Sequence, residues 1–359
     1  MNEKTLAAEQ LDGRQVAPGF NIRNIKISPG LVLAPMSGVT TSAFRRLLKS
    51  TNPGAIGLVV SEFISVEALT RQVVRSLEMM RFRPEERPVG IQIFGYDINR
   101  LRDAAMMVQD AGVDLIDLNC GCPAPKVVRK GGGCELMRIP DHLCKIVREI
   151  RRSVSIPFTI KVRAGWDEQS RNAVEIARMA ESEGVDALTV HGRTRAQLYR
   201  GLADWDLVKE VARAVSIPVC GSGDVIDFRS AENRFSESGV AGVYIGRAAL
   251  SNPFVFREIL NREPLHLKRN PELMLDTVKR YITLLEEDFP LPSIVGKVKQ
   301  LVTQMCKGHA WRTHFLAVRT FPELLDALKM AETYRDLPAT RYNGGDGRSV
   351  ATRMERLSS

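Results

Sequence analysis

Between residues 31 and about 260 the chain alternates short apolar runs with amphipathic stretches, and this alternation leaves few folds open. The runs fall at 31–35, 57–60, 88–94, 113–119, 157–162, 187–191, 217–221 and 242–246. Between them lie helix-patterned segments, among them 97–111, 137–153, 169–184, 204–215 and 227–239. Several of these segments end on a glycine that hands over to valine, as at Gly112-Val113, Gly184-Val185 and Gly239-Val240. A helix stopped by glycine and followed by a Val/Ile/Leu run is the punctuation of βα units. Runs that are apolar almost throughout, and too far apart to pair as tight hairpins, predict parallel strands covered by helices. Eight such units in one continuous region predict an α/β fold, a (β/α)8 TIM barrel over residues 29–262, rather than an open sheet.

After residue 262 the pattern changes. Segments 271–288, 293–306 and 321–334 read as helices, so a small helical domain is expected over 263–335, with a polar tail at 336–359 and a leader at 1–28. No stretch approaches the ~20 apolar residues that cross a bilayer. The first twenty residues carry acids and amides where a signal peptide is apolar, so no membrane association and a cytoplasmic location are expected. The six cysteines are then reduced thiols. Four of them, Cys120, Cys122, Cys134 and Cys144, cluster in sequence, but their spacing matches no usual zinc or iron–sulfur pattern, and no metal is expected. The net charge of +9 suits a polyanionic partner, a solvated basic surface being the alternative reading.

In a TIM barrel, reactive side chains sit where strands end and βα loops begin. At those ends stand Met36-Ser37, Glu62, Gln92, Asn119 to Cys122, Lys161 and Arg163, His191 and Arg193, Ser222 to Asp224, and Gly246-Arg247. The seventh and eighth ends, Gly221-Ser222-Gly223-Asp224 and Gly246-Arg247, offer close backbone amides and a guanidinium to a phosphate; tight turns alone are the alternative. Strand alternation puts Lys161 and Arg163 on one face, toward the interior. A buried ammonium needs an anion, which a reduced flavin or a barrel carboxylate would supply. His191 opens a polar loop in which Arg193 and Arg195 could meet phosphate or a base. Pro123 ends the fourth strand and Gly121 frees the backbone to turn Cys122 toward the mouth, as a thiol able to donate a proton; Cys120 reads as core filler.

Several segments carry a resemblance: Ala34-Pro35-Met36-Ser37-Gly38-Val39-Thr40, Val89-Gly90-Ile91-Gln92-Ile93-Phe94-Gly95, and Asp117-Leu118-Asn119-Cys120-Gly121-Cys122-Pro123-Ala124-Pro125-Lys126-Val127. They continue with Lys161-Val162-Arg163-Ala164-Gly165-Trp166, the run HGRTRAQLYRGLADWDLVKEV from His191 to Val211, and Tyr244-Ile245-Gly246-Arg247-Ala248-Ala249. In order, and over almost the whole barrel, the chain resembles the tRNA-dihydrouridine synthases, most of all their bacterial B-type branch. The resemblance implies FMN as cofactor, NADPH or NADH as reductant, tRNA as substrate, and Cys122 as general acid. It implies an FMN shell of Pro35, Met36, Gln92, Lys161, His191, Gly223, Asp224, Gly246 and Arg247, which Ser37 and Ser222 join from their places at the strand ends. Asn119 and Arg163 match residues near the target uracil. Where the family commonly has Asn-Gly-Asp, this chain has Ser222-Gly223-Asp224.

The implied chemistry is hydride delivery to C6 of uracil and proton delivery to C5 from the opposite side. A uracil stacked in a duplex cannot reach a barrel mouth, so the nucleotide must leave its stack. Beyond the barrel, residues 294–319 contain no Asp or Glu but do contain Lys297, Lys299, Lys307, Arg312 and Arg319. On a helix, Ile294, Val298, Leu301 and Met305 form an apolar stripe opposite Lys297, Gln300, Gln304 and Lys307, so Lys297 and Lys307 are expected to meet RNA phosphates. A monomer is expected. Two rival readings remain at this stage: an FMN barrel reductase of a small metabolite, and a flavin-containing RNA-binding protein without turnover.

Overall fold

The computed structural model describes residues 17–309 and 311–333. The first part of the expected leader and the whole expected tail lie outside the described residues. The described chain divides into two compact units, one ending at Leu265 and the other beginning at His266.

In the first unit eight parallel strands close into a barrel, each beside the next in chain order and the last beside the first. They are β3 (Leu31–Leu33), β4 (Leu58–Ser65), β5 (Val89–Phe94), β6 (Leu115–Cys120), β7 (Phe158–Arg163), β8 (Ala187–His191), β9 (Val219–Ser222) and β10 (Gly242–Ile245). Each of the eight apolar runs thus becomes a strand. The expected helices form at Ile98–Asp110, Pro140–Ser153, Ala173–Ser182, Trp205–Ala214 and Phe228–Ser238, among others. Asp97, Asp204 and Asp227 cap three of them, each side chain accepting from the backbone amide three residues on. The fold is a TIM barrel. Among the described residues no helix is long and apolar enough to cross a membrane.

Two features depart from the sequence reading. Strand β4 runs past its apolar stretch through a register shift between Val60 and Phe63. There the amide of Gln92 donates to Ser61 Oγ at 3.1 Å, so a side chain replaces the carbonyl that the bulge removes. Second, the later part of the segment read as a leader carries regular structure. Phe20–Ile22 (β1) and Ile25–Ile27 (β2) pair as an antiparallel hairpin. Alternation in Phe20-Asn21-Ile22 and Ile25-Lys26-Ile27 gives this hairpin one apolar face. Ile22 and Ile27 pack with Val32, Leu58, Leu115 and Ala187, at the N-terminal ends of the barrel strands, and so close the barrel floor.

The second unit is helical, with helices at Pro271–Asp288, Leu291–Met305, Arg312–Ala317 and Phe321–Thr333. Ile294, Val298, Leu301 and Met305 are fully buried, as their spacing predicts.

Candidate active site at the barrel mouth

Parity along the strands decides what lines the mouth. Ala34, Leu115, Ala187, Cys220 and Tyr244 belong to the apolar cluster inside the barrel. Residues two and four positions further along the same strands therefore point inward above it. They are Met36, Asp117 and Asn119, Thr189 and His191, Ser222, and Gly246. Register sets Asn119 beside Lys161, Arg163 beside His191, and His191 beside Ser222. The barrel is thus apolar at its floor and polar at its rim.

The segment bearing Cys122 is held on each backbone polar group of Gly121 and Cys122. Asn119 Oδ1 accepts from the amides of Gly121 and Cys122, at 3.1 and 2.9 Å. The carbonyl of Gly121 accepts from Arg163 Nε at 2.9 Å and from Cys134 Sγ at 3.0 Å. The carbonyl of Cys122 accepts from the amide of Cys134 at 3.1 Å. The Cys122 thiol is half-buried, and burial raises its pKa, while the Ala124 amide and the charges of Arg163 and Lys161 act the other way. At neutral pH it is a protonated thiol, suited to give a proton rather than to attack.

Lys161 is half-buried in the same mouth. Burial lowers its pKa to about 8, Arg163 adds to the depression, and Asp117 opposes it. Among the described residues no carboxylate comes within ion-pair distance of its ammonium. His191 is neutral: burial first, then the charges of Lys161, Arg163, Arg193 and Arg247, push its pKa down to about 2. Its Nε2 lies 3.3 Å from Arg193 Nη1, which makes Nε2 the acceptor and leaves the proton on Nδ1.

On the other side of the mouth, Gly246 precedes the short helix Arg247–Ser251. A Cβ on Gly246 would lie 3.5 Å from Met36 Sδ, so these two expected shell residues are neighbours. Gly223 has φ +121°, and a Cβ there would come 2.6 Å from Ala203 Cβ and 3.2 Å from His191 Cδ2. Arg247 is exposed, with its guanidinium 4.6 Å from the centroid of the Tyr199 ring. Pro35 is half-buried and Ser37 exposed at the end of β3.

Residues expected to reach ligand or substrate are engaged within the protein: besides Asn119 and Asp224, they are Arg163, Arg193 and Gln92. Arg163 donates from Nη1 to the carbonyls of Thr194 and Leu198, both at 2.8 Å, besides its bond to Gly121. It fastens the Cys122 loop to the loop after β8. Arg193 is buried against Asp224 and the carbonyls of Arg200 and Gly201. Gln92 is fully buried, donating from Nε2 to Asp117 Oδ2 at 2.5 Å and accepting from Asn119 Nδ2 at 2.7 Å. Lys297 and Lys307 belong to the helical unit. Lys297 Nζ sits 4.3 Å from the centroid of the Phe289 ring, and Lys307 is exposed.

Sequence reasoning gave no role to Asp117, Cys134 or Tyr199. Asp117 was detectable, because it shares the inward parity of Asn119 on a strand that is otherwise apolar on that face. Cys134 and Tyr199 reach the mouth through loop geometry, which no strand pattern encodes.

An ammonium outside ion-pair distance of every described carboxylate and a glycine that opens a helix beside an exposed arginine fit a planar, electron-accepting ring with a phosphate tail. FMN meets that description.

Comparison with known proteins identifies relatives of this chain. The family model described as dihydrouridine synthase (Dus) matches residues 32–335. A probable tRNA-dihydrouridine synthase of Rickettsia bellii is 42% identical over 241 residues, covering 67% of this chain and 73% of the relative. The tRNA-dihydrouridine synthase B of Vibrio cholerae is 35% identical over 318 residues, covering 86% of this chain and 98% of the relative. Among solved structures, a 2-naphthoyl-CoA reductase in complex with 2-naphthoyl-CoA superposes with a TM-score of 0.55 at 14% identity, over 70% of this chain and 52% of that one, a likeness of fold alone. The chain belongs to the dihydrouridine synthase family.

Proposed function

We propose that this chain reduces uridine to 5,6-dihydrouridine in tRNA, with Cys122 as proton donor, FMN as resident cofactor and NADPH or NADH as reductant. The observation that carries this reading is the pairing, in one barrel mouth, of a protonated Cys122 thiol with the Lys161 ammonium, which no described carboxylate approaches to ion-pair distance.

FMN, when bound, supplies the hydride for C6 of the uracil ring. Lys161, His191, Met36 and Gly246 would surround its ring, and the amides near Gly223 with Arg247 would hold its phosphate. Saturating the C5–C6 bond also needs one proton, at C5. Cys122 Sγ–H is the protonated acid at the mouth, and the thiolate it leaves is stabilised by the positive charges of Lys161 and Arg163 until solvent returns the proton. His191 is neutral, so the roles divide between the Cys122 thiol, which gives the proton, and the Lys161 ammonium, which carries the charge below about pH 8. The target nucleotide enters the mouth out of its stack. The exposed Tyr199 ring, with Arg247 on one side and Arg163 5.8 Å away, offers an aromatic face there. In the helical unit, Lys307 and the neighbouring bases meet RNA phosphates.

Anaerobic mixing of the reduced flavoprotein with unmodified tRNA tests the reading. Reoxidation of the flavin with formation of dihydrouridine supports it. Reoxidation only by small enones would identify a small-metabolite reductase, and tRNA binding without reoxidation an RNA-binding flavoprotein.

A further inference from the structure

A continuous row of buried polar side chains runs beneath the Cys122 loop. Thr159 Oγ1 donates to Asp117 Oδ1 at 2.6 Å, Gln92 Nε2 donates to Asp117 Oδ2 at 2.5 Å, and Asn119 Nδ2 donates to Gln92 Oε1 at 2.7 Å. Asn119 Oδ1, at the top of the row, accepts from the amides of Gly121 and Cys122. Asp117 and Gln92 are fully buried, and Thr159 and Asn119 nearly so.

The row has a direction. The two amides above can donate only from nitrogen, so Asn119 must turn its oxygen toward them and its nitrogen toward Gln92. Gln92 must then turn its oxygen up and its nitrogen down, where only an acceptor satisfies it. A carboxylate is acceptor on both oxygens, so Asp117 completes the row whichever oxygen meets Gln92. If the bottom of the row presented a donor instead, Gln92 would reverse and set its nitrogen against that of Asn119. Asn119 would then lose either Gln92 or the loop amides, and each unmet buried group costs about 1–3 kcal/mol.

We propose that Asp117 is a positioning residue for proton transfer: it fixes the donor–acceptor direction of Gln92 and Asn119 and thereby holds Cys122 in place. This rests on the reading of Cys122 as the acid and adds a residue that touches neither ring nor substrate. The groups facing Asp117 are compatible with a buried carboxylate. Lys161 on β7 contributes positive charge, while Cys120 on β6, Cys220 on β9 and Tyr244 on β10 stay protonated, burial raising all three. Burial raises the pKa of Asp117, the bonds from Thr159 and Gln92 act to lower it, and both of its oxygens accept, as a carboxylate's do.

The test exploits direction. Asn119→Asp places a carboxylate at each end of Gln92, which can donate to only one of them. Adding Asp117→Asn supplies a donor at the lower end, so the row runs in reverse but complete. The readout is the rate of iodoacetamide alkylation of Cys122 against pH in the flavin-loaded protein, which needs neither RNA nor turnover. The expected result is a profile shifted by about tenfold in rate in Asn119→Asp and restored to within about twofold in the double variant, the size of one lost buried hydrogen bond. In parallel, Asp117→Leu should lower kcat for tRNA reduction about tenfold or more with KM for tRNA nearly unchanged. A double variant no closer to wild type than Asn119→Asp alone would overturn the proposal. So would an Asp117→Leu variant that folds, holds flavin and shows wild-type kcat and alkylation. If the chain proved to have another substrate, the alkylation result would still stand or fall by itself.

Discussion

Nη2 of Arg193 lies between the two carboxylate oxygens of Asp224, 2.7 Å from Oδ1 and 2.8 Å from Oδ2, with only 2% of the arginine side chain exposed. Asp224 has φ +57° and also accepts from the amide of Ala203 at 2.7 Å. This ion pair ties the loop after β8 to the loop after β9, and its remaining bonds reach His191, Arg200 and Gly201.

Removing Arg193 takes from the partly buried Asp224 carboxylate its buried ion-pair partner, leaving it the Ala203 amide, and takes a donor from the carbonyls of Arg200 and Gly201. Breaking such a pair from one side costs about 3–5 kcal/mol. For a unit of this size that lowers the melting temperature by roughly 10 °C. Arg193→Ala should therefore melt early and lose flavin. Arg193→Lys should recover only part of the loss, because an ammonium cannot reach Asp224, Gly201 and His191 together. Thermal melts followed by flavin fluorescence check this, and an unchanged midpoint in Arg193→Ala would contradict the assigned role.

Cys122 is half-buried, and its sulfur contributes little to the core. Cys122→Ala should fold, stay yellow and bind tRNA, yet lose about 10²–10⁴-fold in the rate at which unmodified tRNA reoxidises reduced flavin. Cys122→Ser should be nearly as slow, since a hydroxyl is a far weaker acid than even a buried thiol. Stopped-flow absorbance under nitrogen measures both. A Cys122→Ala enzyme that forms dihydrouridine at the normal rate would remove the thiol from the chemistry.

The ammonium of Lys161 titrates near pH 8 in the flavin-free chain. Its charged form attracts an anionic or electron-accepting ring, and that form is lost as pH rises through the pKa. FMN uptake by flavin-free protein should therefore be level below pH 8 and weaken above it. Lys161→Met should bind FMN weakly with no such fall. Quenching of flavin fluorescence across pH 6–10 gives both curves, and a parallel decline in the variant would assign the effect to another group.

These residues differ in how far the sequence disclosed them. The eight strands were readable because a parallel strand, buried on both faces, needs a continuous apolar run, and each run was bounded by glycine or proline. Strand ends in a TIM barrel mark the mouth, so Lys161, His191, Asn119 and Cys122 could be named from position alone. What each side chain bonds to was not readable. From the sequence, Arg163 is expected near the target uracil and Arg193 facing a phosphate or a base, but the loop after β8 folds back and surrounds them with carbonyls. Long-range partners of that kind depend on loop path, which has no periodicity to read. The hairpin at Phe20–Ile22 and Ile25–Ile27 was overlooked for a related reason. Its strands are too short to stand out, and they are stable only against a barrel floor that sequence reasoning had not yet built.

In the helical unit, Lys307 is exposed just past the end of the helix Leu291–Met305, where a cation also opposes the partial negative charge of the helix terminus. Stability measurements alone would not tell this local role from contact with RNA, but salt dependence does. Each phosphate neutralised adds about 0.9 to the slope of log affinity against log salt concentration on a duplex. Lys307→Ala should therefore lower the magnitude of that slope for tRNA by about 1 and weaken binding at low salt far more than at high salt. Lys297→Ala should do the same and in addition lower the melting temperature, because the stem of Lys297 lies over Phe289. Filter binding between 50 and 300 mM salt, a range of roughly sixfold, resolves such a change of slope. If Lys307→Ala lowers stability and leaves the slope where it was, the lysine serves the helix end and the RNA lies elsewhere.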